Sequence, residues 1–388
     1  MNHFRNLVPF VYFISIFGCA QENITSNQPS DEKEINQVIY KRDSFLIEDF
    51  FSFNPEIDLA ISHIFDTLSN HDRISQLLMP AIGKYGEPKE KIDQLIESGK
   101  IGGLLMLNGT KEEFKEWISQ YNSFNLNKGK IPFLYSADAE VSLINRKILG
   151  TTPLPKANTL QNRSEVKSCA EQIAKELNEI GINYNFAPVI DMTPNKTVGW
   201  RSFGYYQDSI IEWSKVFIEV QQNKGILTTA KHFPGHGNVI GDTHEKLVYI
   251  DGEMKEINSY PPVINANVMS VMIGHIAVKN NEHYNTNNQP ATNSKIIVSG
   301  LLRDSLQFKG LIVTDALNMG GIKNIANASV MAIEAGCDIL LMPLDTEITH
   351  NQLLKKYEED NHFKKTVDSA VRRIIRAKIV LGLISIKN

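Results

Sequence analysis

Eight short apolar runs are spaced along the chain at 76–82 (QLLMPAI), 101–107 (IGGLLML), 131–138 (IPFLYSAD), 183–191 (NYNFAPVID), 226–232 (ILTTAKH), 268–276 (VMSVMIGHI), 310–317 (GLIVTDAL) and 338–343 (DILLMP). Each is short and nearly continuous rather than alternating, the pattern of strands buried on both faces. Between most of them lie stretches such as SEVKSCAEQIAKELNEIG, whose apolar residues recur at three- and four-residue spacing, as on one face of a helix. Strands alternating with amphipathic helices predict a parallel sheet covered by helices. Eight such units predict a (β/α)8 TIM barrel, with a doubly wound open sheet as the alternative. The polar residues favour the barrel. Asp138, Asp191, Lys231, His232, His275 and Asp315 sit at or just past the C-terminal ends of the runs. A barrel gathers those ends at one mouth, whereas an open sheet spreads them along a crest.

The N-terminal pattern differs. MNHFRNLVPFVYFISIFGCA has a short head with Arg5, an apolar stretch over 7–17, and then small residues. That stretch is too short for a spanning helix and reads as an export signal over 1–19. Cys19 after IFG is the expected lipidation site, with cleavage after Ala20 as the alternative. The polar segment 20–42 reads as a flexible tether, and 43–388 as the folded domain. Cys169 and Cys337 are expected to be small buried residues, since two cysteines do not establish a disulfide. A net charge of −4 and dispersed lysines and arginines give no electrostatic footprint for nucleic acid. No glycine-rich nucleotide fingerprint follows a strand. Membrane contact is expected through the lipid anchor only, and a monomer is the favoured state.

The densest chemistry lies in AKHFPGHGNVIGDTH, 230–244, with three histidines, a lysine and an aspartate. Asp242 stands two residues before His244, a spacing at which the carboxylate can hold one imidazole nitrogen and support a proton on the other. Asp315 follows β-branched residues with no basic neighbour in sequence, so its charge must be balanced across the barrel. A carboxylate nucleophile facing a separate acid/base group is the arrangement of a retaining glycosidase. A zinc site from His232, His236, His244 and Asp242 is the competing reading. The spacing fits no compact metal motif, and Lys231 beside His232 would repel a cation.

KHFPGHG followed by DTH resembles the signature of glycoside hydrolase family 3, in its β-N-acetylhexosaminidase branch. NFAPVIDM, WRSFG, PATNSKIIVSGLLRDSLQFKGLIVTDALNMGGI, AIEAGCDILLMP and VRRIIRAKIVLGL resemble further family segments in the same order, over roughly 55–388. The resemblance implies one N-terminal-type catalytic barrel and no cofactor or metal. It implies Asp315 as nucleophile, His244 as acid/base and Asp242 as its orienting partner. Lys231, His232, Arg201, Asp138 and Arg146 fall where the family contacts the sugar. The implied substrates are terminal β-N-acetylglucosaminides from peptidoglycan fragments. One departure stands out. The family's Asp-x-Glu-Gly-Gly-x-Val-x-Arg is DAEVSLINR here, keeping Asp138, Glu140 and Arg146 but placing Val141 and Ser142 at the glycines. A loop of different shape is expected beside the sugar. A phosphorylase of the same family, and a sugar-binding lipoprotein without turnover, are the other readings.

Overall fold

The computed structural model describes residues 45–386. The export signal, Cys19 and the tether lie outside the described residues. Seven parallel strands form one sheet: Ala81–Ile82, Gly103–Met106, Leu134–Ala137, Tyr184–Asn185, Leu227–Phe233, Ser270–Ile273 and Leu311–Thr314. The eighth, Leu340–Leu341, pairs in parallel with Leu78–Met79. It also bridges back to the seventh through Val313 and Ile339. Leu78–Met79 and Ala81–Ile82 are one stave interrupted at Pro80, which has no N–H for the ladder. The pairing therefore runs in a closed ring. This is the (β/α)8 barrel, and the open sheet is excluded because both of its would-be edges are paired.

Each apolar run supplies one stave, although in all but Leu227–Phe233 the regular ladder is shorter than the run. In NYNFAPVID only Tyr184–Asn185 is a strand, with Val189 bridging to Lys231 further along. Pro188 and the turn after it prevent a longer ladder. The helices follow the predicted stripe. In Arg163–Ile180 the residues Val166, Cys169, Ala170, Ile173, Leu177 and Ile180 face the core. Asn162 caps its start by accepting from Glu165 N, and Gly181 closes its end at φ 97°. Thr110 and Glu113 form a capping box on Lys111–Asn127. Cys169 and Cys337 are free and buried, as expected. Among the described residues, no helix is long and apolar enough to cross a membrane.

Outside the barrel, Val248–Asp251 pairs in parallel with Ile276–Lys279. Val239, Val248 and Ile276 form a small apolar cluster of their own there. It gives the long segment after Leu227–Phe233 a foothold separate from the main core.

Candidate active site

A cavity of about 460 Å3 opens at the C-terminal ends of the staves, walled in part by Asp138, Glu140, Arg201, Lys231, His232 and Asp315. Lys231 is the hub. Its ammonium lies 2.8 Å from Asp138 Oδ1 and 2.7 Å from Glu140 Oε1. Arg201, from the one-turn helix Gly199–Arg201, grips the same Glu140 with two bonds, Nε to Oε2 at 2.9 Å and Nη2 to Oε1 at 2.7 Å. Burial pushes the Lys231 amine down, but the two carboxylates outweigh it and hold the group charged. Burial likewise raises Glu140, and Arg201 with Lys231 brings it well below the usual range. Asp138 is held low by Lys231 and Lys147 against the same burial effect. The pairing uses two of the three Lys231 donors and one Asp138 oxygen. A donor and an acceptor remain for a ligand's hydroxyls.

Asp191, whose role the sequence left open, both satisfies backbone groups and orients a side chain. Its carboxylate accepts from His232 N and His236 N, and it lies 2.6 Å from His232 Nδ1. Burial raises its carboxyl, and His232 then His236 outweigh that to keep it ionised. The partnership turns His232 Nε2 toward the cavity. His275 is fully buried between Thr292 Oγ1 (2.8 Å from Nδ1) and Ala316 O (2.9 Å from Nε2). The carbonyl requires the proton on Nε2, and burial depresses the ring's basicity. His275 thus holds the Ala316–Leu317 peptide, one residue past Asp315.

Asp315 lies at the end of Leu311–Thr314. Its N–H donates to Ile273 O, and its Oδ1 accepts from Ala316 N at 2.8 Å. Oδ2 has no partner among the described residues. Burial pushes this carboxyl up, but His232, His275 and the Ala316 N–H outweigh it and hold it below the ordinary aspartate value. The charge is balanced across the barrel, as the lack of a basic neighbour in sequence required.

The dyad is built differently. Asp242 Oδ1 accepts from His244 N at 2.9 Å and lies 2.7 Å from His244 Nδ1. The His244 side chain is 62% exposed, yet it lines the cavity from above. Burial raises Asp242, and the bonds from His244 outweigh it and bring the carboxyl below its usual value. Backbone and neighbouring side chains pin this loop. Gly320 N donates to His244 O and Gly321 N to Thr243 O. A Cβ on Gly320 would sit 2.2 Å from Glu245 O, so only glycine lets the two segments meet. His236 Nε2 lies 3.1 Å from Thr243 Oγ1, between the two dyad residues. Asn195 donates from Nδ2 to Val239 O and Gly241 O. Glu256 accepts from Met192 N, Gly237 N and Asn238 N at the loop's root.

The fold thus brings Asp138, Arg201, Lys231, His232, His244 and Asp315 to one cavity, with Asp242 behind His244. Arg146 is the exception. It lies outside this wall, its guanidinium 4.5 Å from the Trp200 ring, while its neighbour Lys147 faces the cavity. Val141 and Ser142 take no left-handed angle, so the missing glycines are not needed for the turn. Ser142 Oγ instead joins Trp200 O to Ala157 N, at 2.7 Å each. Sequence reasoning noted Glu140 only for its spacing, and it missed Asn195, Glu256 and Lys147. Glu140 was the detectable one, as an acid two residues past Asp138 in a run otherwise apolar. Among the described residues, no three His, Cys, Asp or Glu side chains converge as a metal set.

Residues 69–377 match the family model described as glycosyl hydrolase family 3 N terminal domain. A β-hexosaminidase of Haemophilus influenzae is 30% identical over 309 residues, covering 75% of this chain and 86% of that protein. β-Hexosaminidase A of Pseudoalteromonas piscicida is 29% identical over 69% of this chain, which spans 50% of that protein's length. The solved structure of a family 3 β-N-acetylglucosaminidase from Paenibacillus sp. str. FPU-7 superposes with a TM-score of 0.75 at 25% identity. That alignment covers 82% of this chain and 63% of the other. With the match to the family's domain extending over most of its length, the chain belongs to glycoside hydrolase family 3.

Proposed function

We propose that the chain is an exo-acting, retaining β-N-acetylhexosaminidase that removes terminal N-acetylglucosamine. The carrying observation is the pairing on one cavity of Asp315, with an unengaged carboxylate oxygen, and His244, with Nδ1 held by Asp242. Asp315 Oδ2 attacks the anomeric carbon while protonated His244 gives its Nε2 proton to the departing oxygen. The glycosidic bond breaks as the glycosyl ester forms. A water then attacks the same carbon, its proton passes to His244 Nε2, and the ester's electron pair returns to Asp315. Asp242 stabilises the imidazolium in both steps. Asp138, Lys231, Arg201 and His232 hold the sugar. Both the relatives' names and the amino-sugar enzyme among the structural neighbours support this sugar class. Peptidoglycan fragments as the substrate, on the family resemblance, and export with lipid attachment at Cys19, on the N-terminal pattern, belong to the same proposal.

Nitrophenyl N-acetyl-β-glucosaminide tests the reading. Asp315→Ala is expected to abolish release of nitrophenolate, and mass spectrometry of a slow substrate to find the sugar esterified on the peptide holding Asp315. Near wild-type turnover by Asp315→Ala overturns the assignment. Sugar 1-phosphate as the main product in phosphate buffer would make the enzyme a phosphorylase instead. Dialysis against a chelator is expected to leave the rate unchanged, since the scheme has no metal step. A loss restored by zinc would favour metal ligation by the histidines.

A further inference from the structure

A second cavity, of about 470 Å3, adjoins the catalytic one, and Tyr85 and Asn108 wall both. The rest of its lining follows the first three staves and includes Lys84, Trp117 and Arg146. Around the ring, the Leu227–Phe233 stave, which leads into the dyad loop, stands opposite the first stave. Leu311–Thr314, ahead of Asp315, stands opposite the third. His244 must face the leaving-group oxygen, and Asp315 the anomeric carbon. The second cavity, walled by the loops after the first three staves, thus lies across the ring from Asp315 and from the root of the dyad loop, on the side away from the anomeric carbon.

Its charges are unspent. Arg146 lies over Trp200, and Lys84 Nζ lies 5.2 Å from the Tyr85 ring centroid. Stacking occupies the guanidinium's face and leaves its edge donors free for a planar or tetrahedral oxyanion. Among the described residues, neither Arg146, Lys84 nor the nearby Lys147 has a carboxylate within ion-pair distance. Other lysines, such as Lys89, Lys100 and Lys111, do. Glu113, the acid in this wall, accepts through Oε2 from Thr110 N and Oγ1 and so serves the helix cap. An exposed cation on an aromatic ring at a cavity wall, in a chain of net charge −4, is suited to an anionic ligand.

We propose that this cavity receives an anionic substituent on the outer hydroxyls of the sugar, a phosphate ester at O4 or O6, so that the preferred glycone is acidic. The proposal rests on the hexosaminidase reading above and adds a substrate class to it. Arg146 and Lys84 take the phosphate oxygens, and Tyr85 and Asn108 form the threshold between the two cavities.

Nitrophenyl N-acetyl-β-glucosaminide and its 4-phosphate and 6-phosphate form the test, read as the kcat/KM ratio of each ester to the unsubstituted sugar in the full chain. One ester is expected to exceed the unsubstituted sugar by about tenfold at low salt, and which one identifies the hydroxyl. Lys84→Glu and Arg146→Gln are each expected to lower that ratio about tenfold, and added salt to lower it in the wild type. Both residues are exposed, and circular dichroism checks that the variants fold. Preference for the unsubstituted sugar, or a ratio that neither variant moves, overturns the subsite. A preparation that cleaves none of the three sugars overturns the hexosaminidase reading beneath it.

Discussion

The charged cluster around Lys231 and the dyad at Asp242 and His244 face the same cavity, yet they are made by opposite means. Lys231 and Glu140 are each 2% exposed in their side chains, and every charge in their cluster meets an opposite charge on another element. His244 is mostly exposed and meets a partner two residues away on its own loop. The buried cluster is therefore part of the fold's electrostatic balance: removing one member leaves others uncompensated in low dielectric. The dyad is held by backbone bonds at its loop's margins, so its side chains can change with little effect on the core. Under the proposed roles, sugar grip is coupled to stability here and proton transfer is not.

The largest expected effect breaks the buried side of this contrast. Glu140→Ala leaves Lys231 and Arg201 with one fewer carboxylate and is expected to cost roughly 3–5 kcal/mol of stability. Urea unfolding measures it, and a loss below about 1 kcal/mol would mean that water or rearrangement compensates the cluster. The dyad is expected to show the reverse profile. His244→Ala should slow sugar or alkyl leaving groups by roughly 10²–10⁴-fold and nitrophenolate far less, because a good leaving group needs little protonation. Its unfolding free energy should stay within about 0.5 kcal/mol of wild type. Asp242→Asn should give a milder defect of the same kind. Equal slowing for good and poor leaving groups would turn His244 into a sugar-binding residue.

The same contrast governs what could be read from the sequence. The barrel was legible because parallel strands buried on both faces leave unbroken apolar runs, and because polar residues such as Asp138 and Asp315 end those runs. The dyad was legible because its two members are neighbours in sequence. The buried cluster was only half legible, since Glu140, Arg201 and Lys231 lie on separate elements and meet only in three dimensions. The supports were hardest. Nothing near Asn195 in the sequence marks it as the clamp of a loop some forty-five residues on. Arg146 shows the opposite case: the motif spacing was kept, but the chain turns into Ile144–Lys147 and carries the side chain outside the catalytic cavity.

Glu256, at the root of the dyad loop, makes a pH test possible. Burial, then the charge of Asp191, pushes its carboxyl up to about 7 from an ordinary 4.5. Between those values the native state keeps a proton that the unfolded chain has lost. Stability from this group is thus complete below about pH 4.5 and is lost as pH rises through 7. The full difference is on the order of 3 kcal/mol. Glu256→Gln is expected to flatten the decline in unfolding free energy across pH 4.5–7. An unchanged slope would mean that the backbone donors of Met192, Gly237 and Asn238 keep Glu256 ionised.

The smallest expected effect separates the dyad's chemistry from its mounting. Asn195 N donates to Gly237 O, and its side chain holds Val239 O and Gly241 O just before Asp242. Asn195→Ala removes these two side-chain bonds and the one Oδ1 accepts from Thr197 N, each worth about 1 kcal/mol net, without touching the barrel core. The bonds from Gly320 and Gly321 remain, so the loop opens more often rather than detaching. The expected result is a loss of a few-fold in kcat on poor leaving groups, little change with nitrophenolate, and faster amide exchange confined to Thr197 and 239–244. A fall in global stability with no change in exchange there would assign Asn195 to the fold rather than to the loop. In that case the glycine pair after Met319 carries the mounting alone, and Gly320→Ala, which drives a Cβ into the Glu245 carbonyl, becomes the variant that unseats the dyad.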